Sequence, residues 1–219
     1  MKSSICALLC VRAAALFGMF GKGTALNALK ARRSVVKYSD KAVPASATTR
    51  ALEAAIQAPN HFLSEPWRFY TAGQMQCTNH FSRRHGSLVA LRTGPETKAK
   101  LCGLNEEKRK AAEGVPEWLV VTCASEHDLS EKLGLEDHAA CACAIQNFML
   151  SLAEDGIGSK WMTGALGAAP EDVMAAVGAP AGEKLMGAIW YGYPAKDLAE
   201  DAKAPPRKKG LDGVLTACP

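Results

Sequence analysis

Arg32, Arg33 and Ser34 stand side by side in the chain. Two guanidiniums offer fork-shaped donors and the serine hydroxyl adds a third, a set suited to a phosphate group. The same triplet also reads as a basic helix C-terminus favoured by the macrodipole. A second constellation is His138, Cys141 and Cys143, spaced H-x2-C-x-C. On a helix His138 and Cys141 share a face, while Cys143 lies well over a right angle away. Three ligands do not converge from such positions, and no partner CxxC is present, so core cysteines are the better reading and no metal is assigned. Neither a G-x-S-x-G elbow nor a recognisable cysteine signature occurs, which discards nucleophilic catalysis. The phosphate loops G-x-G-x-x-G and G-x-x-x-x-G-K-[ST] are also missing.

Helices and strands must position these groups. Thr24 is placed to cap a helix, TALNALKARRS, that carries the Arg-Arg-Ser triplet at its end. Ala45–Gln57 reads as a second helix with Ser46 as N-cap, Leu52, Ala55 and Ile56 facing inward and Pro59 as its stop. Cys77–Leu91 and Glu96–Glu113 read as helices, the latter charged and solvent-facing. Glu136–Glu154 is the longest helical signal. Ala139, Ala140, Cys143, Ala144, Asn147, Phe148 and Leu152 leave it little polar surface, which marks a central core helix or an interface helix. Gly156 ends it. Pro170–Val177 is a short helix closed by Gly178 and Pro180. Strands are expected at Pro66–Ala72, Glu117–Ala124 and Lys184–Tyr193, with Ile157–Met162 extended. The second and third are continuous apolar runs and hence buried on both faces. Helices and strands mix without regular βαβ alternation, which points to α+β.

The chain has 219 residues, 48% hydrophobic and 22% charged, which suits one globular domain and excludes collagen-like, coiled-coil and wholly disordered chains. Its net charge of +4 is unevenly spread. Seven basic residues fall between Met1 and Lys37, before the first acidic residue, Asp40. The remainder holds 19 basic and 22 acidic residues. A mildly acidic body argues against nucleic-acid binding. Residues 1–21 are basic, free of acids and split by Arg12, too interrupted for a membrane span. They form a leader or extension ahead of a domain at 22–219. Read as a transit peptide they send the chain to a mitochondrion or plastid; read as a frayed extension they leave it cytoplasmic. Eight cysteines are present, and Cys77, Cys102 and Cys123 read as reduced and mostly buried. The Pro-rich, basic stretch Lys203–Lys209 reads as extended, exposed or wrapped on a partner.

Several blocks in order resemble a known family. Arg32-Arg33-Ser34-Val35, Ala58-Pro59-Asn60-His61 and Glu65-Pro66-Trp67-Arg68-Phe69 come first. The Glu136–Glu154 helix, Gly156-Ile157-Gly158, Trp161-Met162-Thr163-Gly164 and Tyr191-Gly192-Tyr193-Pro194 follow. From Thr24 to Leu215 the chain resembles the FMN-dependent nitroreductases, and within them the small single-domain NAD(P)H nitroreductase branch.

The resemblance implies a fold, a cofactor and a site. The fold would be a central, mostly antiparallel sheet flanked by helices, in an intertwined homodimer with FMN at the subunit interface. Arg32, Arg33 and Ser34 would hold the FMN phosphate and ribityl chain. Gln57 and His61 would line the flavin site, and Trp161, Met162 and Thr163 would run beside the isoalloxazine. Arg207 would complete the phosphate site, with Lys208 and Lys209 as alternatives. Ser151, Leu152, Ala153, Glu154, Asp155 and Gly156 would border the NAD(P)H side. Two positions depart from relatives: Val36, with Lys37 next, where some branches carry a lysine, and Gln57 where a relative has arginine. The implied activity passes electrons from NAD(P)H to nitro compounds, quinones or similar small acceptors by a ping-pong mechanism, without a conventional catalytic acid or base. Alternatives are a reductive dehalogenase or metabolite oxidase of related fold, or a flavin-binding protein without turnover.

Overall fold

In a computed structural model, residues 28–30, 32–73, 91–92, 95–164, 167–195, 208–210 and 213–216 are described. The apolar run Glu117–Cys123 forms strand β3, and all seven of its residues are buried. A strand buried on both faces needs cover twice. β1 (Trp67–Gly73) and β5 (Lys184–Gly192) flank it, both antiparallel to it. β4 (Gly158–Met162) adds to β5 antiparallel, and β2 (Leu91–Arg92) adds to β1 in parallel. The order is β2-β1-β3-β5-β4. The sheet is therefore mostly antiparallel with helices around it, and the α+β expectation holds.

Alternation along β3 divides the core in two. Leu119 and Val121 face a cluster built with α1 (Ala45–Ala55) and α4 (Lys132–Glu154), including Leu52, Ile145 and Phe148. Trp118 and Val120 face a second cluster with α2 (Pro95–Gly103) and α5 (Pro170–Val177), including Leu101 and Val173. Trp118 and Trp190 meet there with ring centroids 5.2 Å apart. Each large side chain so buried stabilises the fold by about 1.5–3 kcal/mol. The two layers hold the sheet rigid, and its ends carry the polar groups considered below.

Some boundaries differ from the sequence expectation. α1 is capped by Pro44, not Ser46: the Pro44 carbonyl accepts from Ala47 N at 3.0 Å, and no side-chain cap forms. Ser46 is exposed in the first turn, and Ile56 and Gln57 form a turn after the helix. The expected single helix Glu96–Glu113 is two, α2 and α3 (Glu106–Glu113), because Asn105 caps the second by accepting from Lys108 N at 3.1 Å. α2 is not wholly solvent-facing either, since Leu101 and Cys102 are buried. α4 starts at Lys132, a turn before Glu136, and Gly134 in its first turn is buried against the Asp128 backbone.

α4 also has two unlike faces. Ala140, Cys141, Ala144, Ile145, Phe148 and Leu152 are in the core. Leu135, Ala139 and Cys143 are exposed on the other side, beside half-buried Ala142, Gln146 and Leu150. Cys143 is thus not a core cysteine, whereas Cys102, Cys123 and Cys141 are free and buried. The Thr24-capped helix start, the expected Cys77–Leu91 helix up to Leu91, and Arg207 lie outside the described residues. Leu91 itself belongs to β2. No described helix is long and apolar enough to cross a membrane.

Candidate functional site

The candidate residues fall into groups at opposite ends of α4. One corner forms where the segment after Lys30 meets the sheet edge at β4. Ser34 bridges Ser159, and Val35 N donates to Ser159 O at 3.1 Å. This approach needs Gly158, because a Cβ there would sit 2.4 Å from Val35 Cγ2. Tyr38 closes the segment, its hydroxyl donating to Val35 O at 2.7 Å, and burial pushes its pKa up.

Arg33 folds back, with Nη1 donating to Arg32 O at 2.8 Å. Its Nε is buried without a hydrogen-bond partner, and so is Ser159 Oγ. A buried donor or hydroxyl left unmatched costs about 1–3 kcal/mol. The Ser34–Ser159 bridge joins Ser159 to this segment, which Lys30, Arg32 and Arg33 make basic. That donor set fits the phosphate and hydroxyls of a nucleotide cofactor.

Farther along β4, Trp161 Nε1 donates to Met186 O at 3.1 Å. Gly187 makes this fit possible: its φ is +132°, and a Cβ would sit 2.7 Å from Trp161 Nε1. Met162 is buried and Thr163 is exposed. Met162, Thr163 and Gly164 also line a pocket of about 110 Å³ with Val173, Leu185 and Ala188. That space is far short of a usual ligand cavity. A flavin ring does not fit inside it.

The second group lies at the start of α4. His61 opens a short 3-10 turn and its Nδ1 pairs with Glu136. The hydrogen bond with His61 holds the Glu136 carboxyl below the usual carboxylate range. Asp137, buried, accepts from Ser64 Oγ at 2.6 Å and from Ser125 Oγ at 2.7 Å. Asn60 Oδ1 accepts from Glu65 N at 3.0 Å. These bonds hold Phe62, Leu63 and Glu65 at φ of 52°, 57° and 41°. Left-handed backbone costs a non-glycine residue about 1–2 kcal/mol, so this loop is strained and locked. Gln57 is exposed, and its side-chain amide donates to Glu53 O at 3.4 Å.

The third group ends α4. Leu152 is fully buried in the core, Ser151, Ala153 and Gly156 are half-buried, and Glu154 is exposed. Asp155 pairs with Arg50 of α1. Gly156, at φ +70°, turns the chain into β4. The helix end is thereby continuous with the Ser34–Ser159 corner.

These contacts give the spacing of the groups. Glu136 marks the His61 end of α4 and Asp155 the other. Nineteen residues of helix separate them, about 28 Å at 1.5 Å per residue. The structure therefore brings Ser34, Ser159 and the Ser151–Gly156 segment together, with Trp161 on the same strand. It leaves His61 far from them. Lys208 and Lys209 are exposed. Ser159, Glu136 and Asp137 are additions that the sequence did not single out. The S/T-poor spacing around them carries no pattern, and only the tertiary contacts bring them forward.

Comparison with known proteins bears on this arrangement. The family model described as "Nitroreductase family" matches residues 29–193. The chain belongs to the nitroreductase family. Among curated nitroreductase relatives, it is 31% identical over 180 residues to "Putative NAD(P)H nitroreductase YfhC" of Bacillus subtilis, covering 80% of this chain and 86% of that one. Among solved structures it resembles a nitroreductase-like family protein of Bacillus cereus at 24% identity with a TM-score of 0.68, covering 92% of this chain and 99% of that one. A nitroreductase-type structure from Desulfovibrio desulfuricans, described as a complex with FMN, gives 22% identity and a TM-score of 0.67, covering 90% and 98% of the two chains. The chain shares the fold of these nitroreductase-type structures.

Proposed function

We propose that the chain is an NAD(P)H-dependent FMN oxidoreductase that passes electrons to nitro compounds, quinones or similar small acceptors. The observation that carries this reading is the corner at Arg33 and Ser159, where two buried polar atoms await partners in a basic setting. FMN, when bound, supplies the two-electron chemistry that no side chain here provides. Arg32, Arg33 and Ser34 bind its phosphate and ribityl chain, with Ser159 Oγ as a further donor. Trp161, Met162 and Thr163 border the ring, and a basic tail residue, Arg207 first, closes the phosphate side. Ser151, Ala153, Glu154, Asp155 and Gly156 border the NAD(P)H side, Leu152 through its backbone alone. NAD(P)H and the acceptor take the same slot in turn, which gives ping-pong kinetics.

His61 and Gln57 belong to this site through a second copy of the chain. His61 sits at the Glu136 end of α4, whereas the phosphate corner follows the turn at its other end, about 28 Å along the helix. A two-fold homodimer brings the His61 loop of one subunit to the Arg32 corner of its partner. The open apolar face of α4 supports such a dimer, with Leu135 57% exposed and Ala139 and Cys143 beside it. Titration with FMN tests the reading: saturable binding of one FMN per chain, followed by bleaching with NAD(P)H and reoxidation by menadione, is the expected result. A chain that rejects FMN contradicts it.

A further inference from the structure

We infer that Phe62 and Leu63 form the apolar wall against which the electron acceptor packs, and that they select planar aromatic acceptors over small hydrophilic ones. The inference rests on the placement of His61 at the flavin proposed above.

Phe62 and Leu63 are each 81% exposed, the most open large apolar side chains among the described residues. Neither belongs to either core cluster, so the fold does not need them there. Yet the chain holds both in left-handed backbone, a costly arrangement for side chains of this size. The locks are polar and complete: Ser64 and Ser125 on Asp137, His61 on Glu136, Asn60 on the Glu65 amide. A loop fixed so firmly presents its apolar tip rather than hiding it.

The nature of the contact follows from geometry and area. His61 and Phe62 stack with centroids 3.9 Å apart and planes 12° from parallel. Phe62 is 81% exposed in the single chain, and a further aromatic ring can extend such a stack. Within the dimer proposed above, the two side chains supply about 300 Å² of apolar surface beside the flavin. They match a ring system of one or two rings. His61 joins the flavin site to the Phe62 ring, so the wall stands beside the place where the acceptor is reduced.

The test uses the full chain loaded with FMN and the variants Phe62→Ala, Phe62→Tyr and Leu63→Ala. Menadione and ferricyanide serve as the aromatic and hydrophilic acceptors. The ratio of kcat/KM for menadione over ferricyanide should fall about tenfold in Phe62→Ala, carried by KM, and by a smaller factor in Leu63→Ala. Phe62→Tyr should restore it. Binding of 2-naphthoate to the oxidised protein, read from the flavin absorbance, should weaken by the same factor. An unchanged ratio and unchanged naphthoate binding in flavin-loaded Phe62→Ala overturn the inference alone. Loss of the dimer in that variant by light scattering also overturns it, because Phe62 then packs on the partner subunit. A parent chain that binds no FMN overturns the reading beneath it and this inference together.

Discussion

The two ends of α4 differ in what they leave unfinished. At the start, around Asp137, the polar groups are matched and the backbone is strained: Asp137 holds two hydroxyls, Glu136 holds His61, and three non-glycine residues take positive φ. At the finish, around Ser159, the backbone bridge is regular, but Arg33 Nε and Ser159 Oγ are buried without partners. Strain held by a complete network describes a loop shaped before anything binds. Unmatched atoms beside basic residues are what the proposed phosphate site would satisfy. A single chain carries one strained, hydrogen-bonded loop and one basic corner, joined to opposite ends of α4. The contrast is what the proposed dimer explains.

Breaking the matched end, around Asp137, should cost the fold most. Asp137→Ala leaves the Ser64 and Ser125 hydroxyls without their shared acceptor. It should destabilise the chain by about 3 kcal/mol, seen as a lower Tm in thermal unfolding. A Tm equal to that of the parent would show that the loop is held by something else. At the unfinished end the loss should appear in binding instead. Arg32→Ala should weaken FMN by one to two decades, about 1.5–3 kcal/mol. An unchanged dissociation constant removes Arg32 from the site.

Ser159→Ala sharpens the contrast because its two effects have opposite directions. Removing an unmatched buried hydroxyl should leave the stability of the flavin-free chain equal or higher. FMN affinity should fall about three- to tenfold. A variant destabilised without FMN and unaffected in binding would make Ser159 a structural residue only.

The Glu136–His61 pair gives a smaller, pH-dependent effect. The Glu136 carboxyl is held below its usual 4.5, so its contribution is complete above that value and fades as pH falls through the lowered one. The His61 ring shifts in NMR should therefore respond to a group titrating below pH 4.5, and Glu136→Gln should abolish that response. Deleting residues 1–21 should matter least. Turnover per bound flavin should stay within tenfold of the full chain, since every motif follows Thr24.

Much of this was legible in the sequence, and for physical reasons. β3 announces itself because a strand buried on both faces must be apolar throughout. α5 is bounded as expected because Pro170 starts it and Gly178, at φ +69°, ends it. Other features were hidden. The break between α2 and α3 depends on Asn105 capping in a charged stretch whose helical propensity is otherwise even. Pro44 replaces Ser46 as cap because the backbone carbonyl alone begins the ladder. Arg32, Arg33 and Ser34 could be read as a phosphate set from type and spacing. Ser159 could not, since a lone serine in a strand carries no signal until Gly158 lets Val35 close on it. The separation of His61 from that corner is likewise a property of the helix length between contacts, not of any motif.

Mixing two defective variants tests the shared site most directly. Arg32→Ala damages the phosphate corner and His61→Ala the opposite loop. Each homodimer then carries two damaged sites, whereas a mixed dimer carries one intact site and one damaged twice. After dissociation and reassociation of equal amounts, FMN titration should recover parent affinity in about a quarter of all sites. Mixed dimers that form, yet show no site of parent affinity, would place both groups at the flavin of one subunit and contradict the account.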